Sequence, residues 1–104
     1  RKHIDFDILH KRKPVAFLGT SQKVLERLLP DVRDHALNEL QRLQDGRDPR
    51  HWKPMPGIGP GVREIRIRVR TQLRIIYITT LPEAIYVLHV FEKKTQRTAG
   101  SDIE

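Results

Sequence analysis

Three consecutive runs in the second half of the chain read as strands: VREIRIRVR at 62–70, which alternates apolar and polar residues, and the more continuously apolar LRIIYIT at 73–79 and IYVLHVF at 85–91. Alternation with a period of two marks half-buried β-strands, because successive side chains point to opposite faces. The links between the runs, Thr71-Gln72 and Leu81-Pro82-Glu83, are short, so the three strands are predicted to form an antiparallel meander. In the first run Ile65, Ile67 and Val69 then share one face, and Arg66, Arg68 and Arg70 share the other.

The first half changes period. Val24, Leu25 and Leu28 follow one another at helical spacing behind Thr20 and Ser21, both good N-cap residues. Pro30 stops this helix and opens the next, with Asp31 and Asp34 near the positive end of its dipole. The second helix places Val32, Ala36, Leu37, Leu40 and Leu43 on one face and ends at Gly46. Ahead of the helices, the run at 14–18 reads as an edge strand started by Pro14. Residues 1–13 alternate at Ile4, Phe6 and Ile8, which suits either an extra strand or a flexible basic arm.

Residues 47–61 contain four prolines and three glycines, a composition that predicts a loop without regular structure. Trp52 and Met55 within it are expected to anchor the loop to the core. The Gly57–Gly61 string is not a phosphate-cradling loop, since that motif requires a following helix and a strand follows here. The fold class expected is α+β: two helices packed on one face of a small, mostly antiparallel sheet, in a single domain spanning 1–104.

Composition narrows the chemistry. A chain of 104 residues supports one core. With no cysteine, disulfides, thiolate catalysis and cysteine-ligated zinc are excluded. The five histidines show no metal-ligand spacing, so neither metal nor cofactor is expected. No apolar run reaches the roughly 18 residues of a membrane span, and a cytoplasmic protein with no membrane partner is expected. The formal charge of +7 is concentrated in residues 47–98, which hold eleven Lys and Arg against four Asp and Glu. Such clustering captures polyanions, making nucleic acid the leading partner class.

The alternating arginines give that charge a shape. Neighbouring like charges on one strand face repel, and within the strand only Glu64 offsets them. A phosphate-binding face would explain the arrangement. Arg74 opens the next strand close to this row, and Lys93 and Lys94 follow the last strand directly. Arg63, Arg70, Arg97 and Lys53 extend the set as RNA-binding candidates. His89, flanked by Leu88 and Val90 inside a strand, reads as a buried, hydrogen-bonded histidine ahead of a catalytic one.

The strings KPVAFLGTSQKVLERLL, PDVRDHALNEL, KPMPGIGPGVREIRIRV, LRIIYIT and IYVLHVFEKKTQRT, in this order and spacing, resemble the RelE/ParE toxin superfamily, most closely its phage-derived HigB-like branch. The resemblance covers residues 13–103. It implies a RelE-like fold and the toxin of a toxin–antitoxin module, a ribosome-dependent messenger-RNA endoribonuclease that inhibits translation without metal. Its implied partners are the ribosome, messenger RNA and a cognate antitoxin of helix-turn-helix type. The family's basic strand residues match Arg66 and Arg68, its strand arginine matches Arg74, and its basic pair matches Lys93 and Lys94. The chain departs from relatives at Arg97-Thr98-Ala99, where many carry Lys-Thr-Pro, and it lacks the C-terminal tyrosine some use.

Cleavage by a ribose 2′-hydroxyl needs a base, an acid and cations for the phosphorane charge. Arginine stays protonated and supplies only the last of these. His89, Lys93 and Lys94 are therefore the three candidates for moving protons, with the roles of acid and base open between them. The alternatives are a ParE-like gyrase-inhibiting toxin and a non-catalytic nucleic-acid-binding module.

Overall fold

A computed structural model describes residues 12–93. Strand β1 spans Val15–Phe17, helix α1 Ser21–Glu26, helix α2 Pro30–Gln44, and strands β2, β3, β4 and β5 span Trp52–Pro54, Val62–Val69, Thr71–Ile78 and Ile85–Lys93. The sheet order is β1-β5-β4-β3-β2. β1 runs parallel to β5, and every other pairing is antiparallel. The α+β expectation holds: α1 packs on β5 and α2 on β3, both on the same side of the meander. Among the described residues no helix is long and apolar enough to cross a membrane.

The core is the seam between these layers. Ile65, Ile67, Leu73, Ile75, Tyr77, Ile85, Val87 and Val90 of the sheet meet Leu25, Leu28, Val32, Ala36, Leu40 and Leu43 of the helical segment, all buried. Pro30 starts α2 at its first turn, where a missing N–H costs nothing. Gly46 ends it with φ +81°, a left-handed conformation that glycine adopts without a Cβ clash.

Several local expectations are corrected. Leu37 is exposed, and the position that closes the helix's inner face is Glu39, which is buried. It accepts hydrogen bonds from the Arg50 N–H and guanidinium, so the stripe tolerates a carboxylate because its charge is paired. Thr20 occupies the N-cap of α1 without a side-chain cap bond. Ser21 is instead the first helical residue, fully buried, with its hydroxyl donating to the Val87 carbonyl at 3.4 Å. Residues 47–61 do contain regular structure: β2 adds to the free edge of β3, where Pro54 can be accommodated because one side of an edge strand needs no ladder donor. The proposed alternation at 1–13 falls mainly on residues outside those described.

Two backbone features set which side chains face where. The β3–β4 hairpin is centred on Arg70, at φ 65°, rather than on Thr71-Gln72, and Val69 pairs with Thr71 across it. A β-branched threonine is a poor occupant of a left-handed turn. The second feature is a bulge in β5: Ile76 pairs with His89 but Tyr77 with Val87. One extra residue shifts the alternation. Ile85 and Val87 face the helices, as does Val90, whereas His89, Phe91 and Lys93 emerge on the opposite side.

Candidate nucleic-acid interface

On the sheet face away from the helices, the register builds a small lattice. One cross-strand row holds Arg68, Gln72 and Lys93; the next holds Arg66, Arg74 and Phe91; the third holds Lys53, Glu64, Ile76 and His89. Strands lie about 4.8 Å apart, so residues two strands apart in one row have Cα atoms roughly 10 Å from each other, within reach of long cationic side chains. Five of the six catalytic candidates, Arg66, Arg68, Arg74, His89 and Lys93, thus share one face with Lys53. Lys94 and Arg97 lie outside the described residues.

The cations on this face are not equivalent. Arg68 is exposed and forms no ion pair among the described residues. Arg66 is half-buried, with its Nε 3.5 Å from Glu64 Oε1. Arg74 is not a surface group at all, its side chain being only 3% exposed. It donates from Nη2 to Gln72 Oε1 at 3.2 Å, and its Nε lies 3.8 Å from Glu64 Oε2. Arg74 Nη1 and Arg66 Nε are buried without a hydrogen-bond acceptor among the described residues. Burial, with Arg66 and then Arg68 nearby, lowers the Arg74 pKa, and Glu64 opposes that shift. Glu64, itself buried, is the carboxylate that lets two arginines sit opposite each other across the β3–β4 ladder.

Two members of the predicted RNA-binding set sit elsewhere. Arg63 has the parity of Ile65 and so belongs to the helical side of the sheet, where its guanidinium lies 4.1 Å over the Trp52 ring and pairs with Asp48 at 3.2 Å. Trp52 is thereby an anchor, as expected, stacked under a cation. Arg70 occupies the hairpin turn and is drawn to α2 by an ion pair with Asp31. That contact raises the Arg70 pKa and lowers that of Asp31, in each case chiefly through the hydrogen bond between them.

His89 corrects the sequence expectation most clearly, since it is exposed rather than buried. Its ring stacks on Phe91 with centroids 5.2 Å apart and planes inclined by 27°. Sequence reasoning passed over Phe91 and Gln72. Phe91 ends the third predicted strand, where a strict period of two puts it on the side of Ile85 and Val87, and only the β5 bulge turns it outward beside Arg74. The face combines exposed cations with an aromatic shelf, the pairing used for phosphate and base contacts by single-stranded nucleic-acid binders.

No curated protein matches the chain. A family model described as Phage derived protein Gp49-like (DUF891) matches residues 23–104. That span begins inside α1 and takes in all of α2, the whole meander and every residue of the cationic lattice, and on this match the chain belongs to the phage-derived Gp49-like family.

Proposed function

We propose that the chain is the toxin of a toxin–antitoxin pair and acts as a metal-independent endoribonuclease on messenger RNA at the ribosome. The observation that carries this reading is the shared face: the register and the bulge together gather Arg66, Arg68, His89, Phe91 and Lys93 on a side of the sheet that carries no helix among the described residues. Membership in the Gp49-like family supports the toxin assignment, as does the resemblance to HigB-like toxins, and both favour pairing with an antitoxin.

On this reading the ribose 2′-hydroxyl attacks the adjacent phosphorus, its proton passes to a base, and a protonated group supplies a proton to the departing 5′-oxygen. Arg68 and Arg66 hold the non-bridging oxygens, where a preorganised donor is worth on the order of 10²- to 10³-fold in rate. Lys93 flanks them in the same row as Arg68. His89, Lys93 and Lys94 remain the proton-moving candidates. Arg74, buried beneath its neighbours, acts as a positioning residue: it holds Gln72 and Glu64 and adds positive potential under the phosphate.

Inducing the wild-type chain in bacteria is expected to stop growth and to fragment messenger RNA inside reading frames. Arg68→Ala should relieve both while leaving the thermal melt unchanged. Undiminished toxicity in Arg68→Ala would overturn the reading, and so would DNA damage signalling with intact messenger RNA.

A further inference from the structure

Beside the cationic face, and sharing Arg66 and Arg68 with it, lies a groove of about 530 Å³ between α2 and the end of β3, lined also by His35, Asn38, Arg50 and His51, with Ile67 and Val69 as an apolar floor. Its geometry follows from β2 being short. Pairing along β3 stops after Arg66, whose N–H donates to the His51 carbonyl at 2.9 Å. Strand alternation then directs the Arg68 N–H and C=O outward along an edge that is unpaired among the described residues. The two arginines project from this edge, so their long side chains border both the open face and the groove.

We propose that this groove receives a nucleotide of single-stranded RNA neighbouring the one whose phosphate lies on the arginines, and that Asn38 and His35 read its base. The inference rests on the endoribonuclease reading and adds a specificity subsite to it. Three observations argue for this occupant. The fixed charges favour an anion: Arg66 and Arg68 are cationic, while the one carboxylate in the wall, Glu39, is buried and neutralised by Arg50. The volume falls in the range of small-ligand sites, and an apolar floor with a few polar groups is how such sites hold a planar ring. Finally, an exposed carboxamide and two exposed imidazoles stand beside the Arg68 backbone N–H and C=O, which no strand pairs among the described residues. Amide side chains pair bidentately with base edges, and imidazole rings stack on bases.

The wall that makes this a groove rather than a flat edge is the Glu39–Arg50 contact. The Arg50 N–H donates to Glu39 Oε1 at 2.8 Å, and the guanidinium donates to Oε2. This fastens the loop carrying His51 against α2. A buried carboxylate on an otherwise apolar helix face is explained by that task.

The test uses the full chain with purified ribosomes and messenger RNA, sequencing the 5′ ends of the fragments, together with anisotropy titrations of a labelled mixed-sequence RNA 10-mer. Asn38→Ala and His35→Ala, both at exposed positions, should keep the wild-type melt, redistribute the bases preferred beside the cut, and weaken 10-mer binding by about tenfold, as loss of one base-reading contact does. An unchanged cut-site pattern and affinity in both variants would overturn the subsite while leaving the nuclease reading intact. Wild-type protein that neither binds nor cuts RNA would remove both. Protection of the His35 and His51 ring signals by an acidic peptide but not by the 10-mer would assign the groove to a protein partner and overturn the proposal.

Discussion

Glu64→Gln is the substitution that most directly probes how this sheet tolerates its arginines. The Glu64 side chain is 8% exposed and lies 3.8 Å from Arg74 Nε, on a guanidinium that is itself only 3% exposed. Its second contact, with Arg66 at 3.5 Å, involves a side chain that is one-third exposed. Although Arg66 Nε is buried, the rest of its guanidinium stays in water and screens the charge, so that part of the loss belongs with partly exposed pairs at about 1 kcal/mol. Arg74 has no such recourse, and removing one partner of a buried pair costs about 3–5 kcal/mol because the other charge stays buried and uncompensated. The cross-strand repulsion between Arg66 and Arg74 acts in the same direction. Urea denaturation at pH 7 should therefore show Glu64→Gln destabilised by about 3–5 kcal/mol. In the double variant Arg74→Met/Glu64→Gln the stranded charge is gone, and a large part of the stability should return, with a coupling energy of at least about 2 kcal/mol. A Glu64→Gln loss below about 1 kcal/mol, or additive effects in the cycle, would refute the claim that Glu64 neutralises a buried Arg74.

Burial raises the Tyr77 phenol above its usual value of 10.0, so its stability contribution is complete below that value and is lost as pH climbs through the raised one. Alkaline unfolding followed by circular dichroism should begin past about pH 10 and be blunted in Tyr77→Phe. The same variant should gain on the order of 1 kcal/mol at pH 7 by removing a buried hydroxyl that, despite the nearby Arg63, makes no hydrogen bond among the described residues. Gly61→Ala forces φ +77° on an alanine and brings its Cβ to 3.1 Å from Thr80 Oγ1, so a loss of roughly 1–2 kcal/mol is expected by denaturant titration. Leu40→Ala should cost about 2–5 kcal/mol, whereas the exposed Leu37→Lys should stay within about 0.5 kcal/mol; equal losses would contradict the helix orientation.

Much of this protein was legible from residue order alone. Strand and helix periods, Pro30 between the helices, Gly46 after the second, and Ile65, Ile67 and Val69 opposite Arg66 and Arg68 are local consequences of side-chain direction and backbone sterics. A chain whose neighbours decide its conformation carries that information in any short window. The composition of that window also concentrated the charge where the cationic face lies. Tertiary structure decided the rest. The bulge in β5 turns His89, Phe91 and Lys93 outward, a shift of register invisible to a strict period of two. Packing density decided that Arg74 is buried beneath its neighbours, and the pull of Asp31 on α2 removed Arg70 from the row. The groove joining His35 and Asn38 to Arg68 brings together residues about thirty positions apart. Such contacts depend on where two separately formed elements come to rest, and pairing across the sheet, the burial of charge and the closure of a loop fix that only once the whole chain has folded.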